Sequence, residues 1–184
     1  IAGVLSLNRK SINIDYTKPM LDKISHRGPD DHGIWCDKEI GIALAHRRLS
    51  IIDLTKNGHQ PMISHCERFC IVFNGEIYNH LSLRKELPDS IIWHGYSDTE
   101  TLLNSISYWG IKKTLTKIVG MFAFAIWDRN LKKLTLVRDR MGEKPLYFGT
   151  KDKTLLFGSE LKAIKAFPNF FPDIDQYSLQ LYLQ

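Results

Sequence analysis

Arg48, the dipeptide Asn74-Gly75 and Asp98 are the residues in this sequence whose types and placement could do chemistry. Arg48 stands at the end of a strand-like run and is followed by the apolar Ile51-Ile52. An arginine beside a buried edge needs an anion, and a carboxylate gripped at two points is the natural one. The structural alternative is an ion pair with Asp53 or another protein carboxylate. Asn74-Gly75 follows Cys70-Ile71-Val72-Phe73, a run rich in β-branched and aromatic residues that reads as a buried strand over 69–73. The expectation is that the strand ends there, because glycine takes φ > 0 and lets a ligand approach its backbone. An amide side chain beside a free backbone N–H, just before a helix, offers two donors at one point, the form of an oxyanion hole. A plain hairpin turn is the competing reading, although no alternating strand follows. Asp98 falls in the first turn of a helix, where the macrodipole favours a carboxylate in any case; its functional reading is counter-ion to a ligand ammonium. Together the three describe a site for an α-amino acid with a reactive carbonyl on its side chain.

Other chemistries lack their residues. There is no G-x-x-x-x-G-K-[ST] phosphate loop and no G-x-S-x-G elbow. His59 with His65, and Cys66 with Cys70, lack metal-ligand spacing, so no metal site is expected. No Cys, Ser or Thr stands in a nucleophile–base arrangement. The cysteines, Cys36, Cys66 and Cys70, form no disulfide framework and point to a reducing, cytoplasmic setting. The net charge of +5 comes from basic residues spread along the chain, without the interleaved aromatics of a nucleic-acid surface. No apolar run reaches the roughly 18 residues of a membrane span.

The elements that must position these residues follow from length and pattern. The 184 residues, 43% hydrophobic and 24% charged, predict a single domain over 1–184 with a proper core. Strands are expected at 1–7, 33–36, 40–46 and 69–73, then at 121–127, 133–138, 145–149 and 154–158, with turns at Asp128-Arg129-Asn130 and Lys151-Asp152-Lys153. A short helix is expected over 17–25 and another after Asn79, which is placed to cap it ahead of Leu81, Leu83 and Leu87. The clearest helix is 97–109. Ser97-Asp98-Thr99-Glu100 forms a capping box, Leu102, Leu103, Ile106 and Trp109 recur at helical spacing, and Gly110 ends the helix. Further helices are predicted at 111–118, 159–166 and 175–183. The strands alternate less cleanly than a one-sided sheet would require, which implies burial between layers. Both ends read as cut, since residue 1 is already strand-like and the last helix lacks punctuation.

Six stretches also occur here in an order met elsewhere: His26-Arg27-Gly28-Pro29-Asp30, Arg47-Arg48-Leu49-Ser50-Ile51-Ile52-Asp53, Phe73-Asn74-Gly75-Glu76-Ile77-Tyr78-Asn79, Ser97-Asp98-Thr99-Glu100, Gly120-Met121-Phe122-Ala123-Phe124-Ala125, and Arg138-Asp139-Arg140-Met141-Gly142-Glu143-Lys144-Pro145-Leu146-Tyr147. The chain thereby resembles, from end to end, the glutaminase domain of glutamine-hydrolysing asparagine synthetases, a class II glutamine amidotransferase. Pro29-Asp30 and the Gly142–Pro145 run favour that branch over the phosphosugar and phosphoribosyl amidotransferases. The resemblance implies an α+β fold, the four-layer αββα sandwich of N-terminal nucleophile hydrolases. It also implies hydrolysis of glutamine to glutamate and ammonia through a glutamyl thioester. Arg48 would bind the glutamine α-carboxylate, and main-chain groups of Leu49, Ser50, Ile51 and Ile52 would line the pocket. The Asn74 side chain and Gly75 N–H would form the oxyanion hole, Glu76 would line the pocket, and Asp98 would hold the α-ammonium.

The resemblance also sets a condition. Such domains begin with a cysteine two residues before the position of Ile1, whose thiolate is the nucleophile and whose α-amine is the base. That residue lies outside this sequence, so either it precedes Ile1 in the protein or the protein lacks it and binds glutamine, or a partner, without catalysis. The expected partners are glutamine and a C-terminal synthetase domain, with a homodimer allowed and neither nucleic acid nor membrane involved. No cofactor is expected in this domain; ATP and Mg belong to the synthetase half.

Overall fold

The computed structural model describes residues 1–50, 55–170 and 175–183. Two antiparallel sheets form its centre. The first contains β1 (Ala2–Ser6), β2 (Asp31–Asp37), β3 (Ile42–Arg48), β8 (Tyr147–Lys151) and β9 (Thr154–Gly158), in the order β2-β3-β1-β9-β8. The second contains β4 (Met62–Ile63), β5 (Phe69–Ile77), β6 (Gly120–Asp128) and β7 (Lys133–Arg138), in the order β4-β5-β6-β7.

Three apolar clusters show how the layers stack. Leu44, Val72, Ala125, Trp127 and Phe157 fill the space between the sheets. On the outer face of the first sheet, Met20, Leu21 and Ile24 from and just after α1 (Thr17–Asp22), and Ala163 and Ile164 of α5 (Leu161–Lys165), pack on Val4, Ala43 and Leu156. Across the molecule, α2 (His80–Glu86), α3 (Asp98–Trp109) and α4 (Ile111–Lys117) cover the second sheet, with Leu83, Leu102, Leu103 and Ile106 against Ile71, Phe73 and Phe124. The order is therefore helix, sheet, sheet, helix, as expected. Strands apolar on both faces are the reason the alternation looked blurred. The last helix, α6 (Gln176–Tyr182), is exposed along its length.

The local expectations hold best where the signal is a cap or a helix-ending glycine. Ser97 accepts the Glu100 N–H at 3.2 Å, and Gly110 closes α3 at φ +80°. Three expectations are corrected. The strand does not end at Asn74-Gly75: β5 continues to Ile77, with Asn74 paired to Ala123 and Gly75 to Phe122. Gly75 is needed for closeness and not for an unusual φ, since a Cβ there would stand 2.2 Å from the Met121 carbonyl oxygen. Asn79 does sit at the cap position of α2 but makes no capping bond. Its side chain instead donates to the Lys117 carbonyl and accepts from Val119 N–H, tying α2 to the end of α4. The first helix is also shorter than predicted; a separate turn of 3₁₀ helix at Ser25–Arg27 leads into the Gly28-Pro29 loop.

Candidate functional site

A cavity of about 260 Å³ opens where the ends of β3 and β5 meet the start of α3. Arg48, Leu49, Asn74, Gly75, Glu76 and Asp98 all line it, so residues up to 50 positions apart in the chain converge on one point. It is below the roughly 300–1,000 Å³ of drug-sized pockets, which suits one small ligand. Ser50 faces a neighbouring cleft, and its N–H donates to Asp30 Oδ2 at 2.8 Å. Ile51, Ile52 and Asp53 lie outside the described residues.

Strand alternation explains the donor at Gly75. Phe69 C=O accepts from Ser64 N–H, Phe73 N–H donates to Gln60 Oε1 at 2.7 Å, and Ile77 N–H donates to Asp98 Oδ2 at 2.9 Å. These residues share one edge of β5, and the two-residue period puts the Gly75 N–H on it as well. Among the described residues the rest of this edge has no partner strand, because β4 pairs with Cys70 and Ile71 alone. Beside it, Asn74 Nδ2 is buried with no hydrogen-bond partner among the described residues. A buried unpaired donor costs about 1–3 kcal/mol, which a ligand oxygen would recover. Side-chain amide and backbone N–H thus meet at one place.

Two charged side chains bracket these donors. Arg48 is buried at the last position of β3, and its Nη1 donates to the Thr55 carbonyl at 2.8 Å. The guanidinium lies over Gly58, where a Cβ would come within 2.1 Å of Nη2, so a side chain at 58 would displace it. Asp98 is 6% exposed. Burial raises its carboxyl above the usual aspartate range, opposed by backbone N–H bonds from Ile77 and Thr99. A buried carboxylate held this way is well suited to a cationic partner.

Several lining residues were not singled out by sequence: His46, Gln60, Gly58, Arg27, Met121 and Lys144. Arg27 and Lys144 belong to stretches that carried the resemblance, which was the available signal. Gly58 and Gln60 lie in a loop with no pattern to read, and His46 sits within a strand between the apolar run Ile42–Ala45 and Arg47. Lys144 arrives through Asp139, a buried residue whose carboxylate accepts from the N–H groups of Phe122, Glu143 and Lys144 at 2.9–3.2 Å. Arg27 is held from outside the cavity, donating to Glu160 at 3.0 Å. No group of three or more His, Cys, Asp or Glu side chains gathers as a metal site among the described residues. No helix among them is long and apolar enough to cross a membrane.

Known proteins resemble this chain in sequence and in fold. The chain is 41% identical over 167 residues to asparagine synthetase [glutamine-hydrolyzing] 1 of Bacillus subtilis, covering 90% of this chain and 26% of that protein. It is 35% identical over 164 residues to amidase chry2 of Gibberella zeae, covering 89% of this chain and 24% of that one. It therefore spans about a quarter of the length of these relatives. Among solved structures, a B. subtilis glutamine phosphoribosylpyrophosphate amidotransferase complexed with ADP and GMP superposes with a TM-score of 0.76 at 21% identity, over 90% of this chain and 43% of that one. That likeness shows the fold. The family model described as a glutamine amidotransferase domain matches residues 1–184, and the chain belongs to that family.

Proposed function

We propose that this domain hydrolyses glutamine to glutamate and ammonia, and that the ammonia passes to an acceptor such as activated aspartate on a C-terminal synthetase domain. The observation that carries this reading is the buried, unpartnered Asn74 amide beside the Gly75 N–H edge, bracketed by Arg48 and Asp98 in one small cavity. Arg48 would take the α-carboxylate and Asp98 the α-ammonium, with Leu49 and Glu76 at the walls. The glutamine side chain then reaches the two donors with its carboxamide.

The nucleophile would be a cysteine two residues before Ile1. Its thiolate adds to the γ-carbonyl carbon, and the C=O electrons move to oxygen, where Asn74 Nδ2–H and Gly75 N–H stabilise the oxyanion. The cysteine's own α-amine, having taken the thiol proton, gives it to the departing nitrogen as the C–N bond breaks. Water then cleaves the thioester to give glutamate. Activation of the acceptor would fall to the other domain, with ATP and Mg, in the cytoplasm.

The test uses the full-length protein bearing that cysteine. Asn74→Ala should lower kcat for glutamine hydrolysis by about 10²–10³ with KM little changed, because the donor serves the intermediate. Residues 1–184 alone, without the cysteine, should bind glutamine but release no ammonia above background. A raised KM with unchanged kcat in Asn74→Ala would make Asn74 a ground-state contact. Glutamine binding without turnover by the cysteine-bearing protein would favour a non-catalytic domain.

A further inference from the structure

His46 lines the cavity, is 6% exposed, and has no part in the chemistry described above. It lies on β3 in the first sheet, yet its Nε2 is 3.0 Å from the Phe73 carbonyl oxygen of β5 in the second. A carbonyl only accepts, so Nε2 carries the proton and Nδ1 is a bare acceptor. Burial pushes the imidazole below its ordinary range, which keeps it neutral. The bond therefore adds no charge beside Arg48 and Asp98.

What it holds is the peptide unit joining Phe73 to Asn74. Beyond β4, no strand among the described residues lies beside the outward edge of β5, so side chains take over. Gln60 accepts the Phe73 N–H, His46 donates to the Phe73 C=O, and Asp98 accepts the Ile77 N–H. Gln60 Nε2 also donates to Thr99 Oγ1 at 3.2 Å, next to Asp98. Asn74 and Gly75 thus lie between two fixed peptides, and only the stretch between the anchors presents its donors to the cavity.

We infer that His46 is a positioning residue for the oxyanion donors, holding the Phe73–Asn74 peptide so that Asn74 Nδ2 and Gly75 N–H converge. The inference rests on the glutaminase reading. Preorganised donors act on charge that develops in the transition state, and small misplacements are costly there. Loss of the bond should therefore appear in kcat.

The experiment compares His46→Leu and His46→Gln in the full-length, cysteine-bearing protein, with active sites counted by a glutamine analogue that alkylates the thiol. His46→Leu should lower kcat per active site about 10- to 100-fold with KM within about twofold. His46→Gln, whose amide N–H can reach the same carbonyl, should recover most of the loss. In an Asn74→Ala background the His46→Leu penalty should shrink, because the donor it positions is gone. A lower melting temperature with normal kcat per active site would make His46 a structural cross-link only and overturn the inference. So would a penalty of the same size in the Asn74→Ala background. If the unmutated protein binds glutamine without hydrolysing it, the glutaminase reading fails, and the inference with it. Turnover in the unmutated protein with an unaffected His46→Leu variant refutes the inference alone.

Discussion

Arg48 and Asp98 would discriminate one ligand by opposite charges, and that makes their roles separable. Arg48 is seated by the Thr55 carbonyl and by the space above Gly58. A lysine cannot reproduce a planar two-point grip, so Arg48→Lys should selectively erase the preference for glutamine over its α-carboxamide. Asp98→Asn should erase the preference over the des-amino analogue, costing about 2–5 kcal/mol of glutamine binding. Calorimetry with all three ligands checks both; equal losses for every ligand would mean that the fold had suffered instead. The pH dependence has a definite sign. Asp98 binds an ammonium only when ionised, and burial raises its pKa. Glutamine affinity should therefore begin to fall at a higher pH than an ordinary aspartate would impose, and Asp98→Asn should flatten that fall.

The loop after β7 shows how one carboxylate can organise an element. Asp139 lies immediately after the strand and gathers the N–H groups of Phe122, Glu143 and Lys144. Burial pushes its carboxyl up, but the backbone N–H bonds from Lys144, Glu143, Phe122 and Gly142 outweigh it and hold the group below the usual range. One end of this network carries Lys144 to the cavity, and the other fixes β6 beside Gly75. Asp139→Ala strands several donors together. It should cost about 1–3 kcal/mol in denaturant unfolding and should also raise KM for glutamine as Lys144 and Met121 loosen. Asp139→Asn, which keeps an acceptor oxygen, should lose less on both counts. Unchanged KM in the alanine variant would separate this loop from the site.

At the scale of the whole molecule, the two sheets share a buried apolar layer and the cavity lies at their common end. Glu160, between β9 and α5, draws together distant parts of the chain: it accepts from Lys162, Arg27 and His26 at 2.9–3.0 Å. Burial pushes its carboxyl up, but these bonds, with Lys162 first, then Arg27 and His26, bring it down to about 2 from 4.5. A depressed carboxylate stabilises the fold at pH values above its unfolded pKa. The stabilisation is lost as pH falls through the folded value. The stability difference between the native protein and Glu160→Gln should thus be full at pH 6 and should shrink between about 4.5 and 2, measured by chemical denaturation at each pH. A difference independent of pH would show that the carboxylate's charge contributes nothing.

The sequence by itself determined what depends on neighbours along the chain. Ser97 caps α3 and Gly110 ends it because a hydroxyl at the first turn and a residue free to take φ +80° at the last are local requirements. Apolar runs in β5 and β6 announced a double-faced core, and Arg48, Asn74 and Asp98, which stood out by residue type, all line one cavity. Tertiary structure decided whatever depends on a partner far away in sequence. Asn74-Gly75 reads locally as a break, yet pairing with Ala123 and Phe122 holds it extended, and the Met121 carbonyl leaves room for nothing larger than glycine at 75. Asn79 reads as a cap, yet α4 offers it better partners. His46 and Gln60 carry no local signal, because their bonds to β5 arise only where β4 stops short. There the open edge of β5 must find side chains to take the place of a strand.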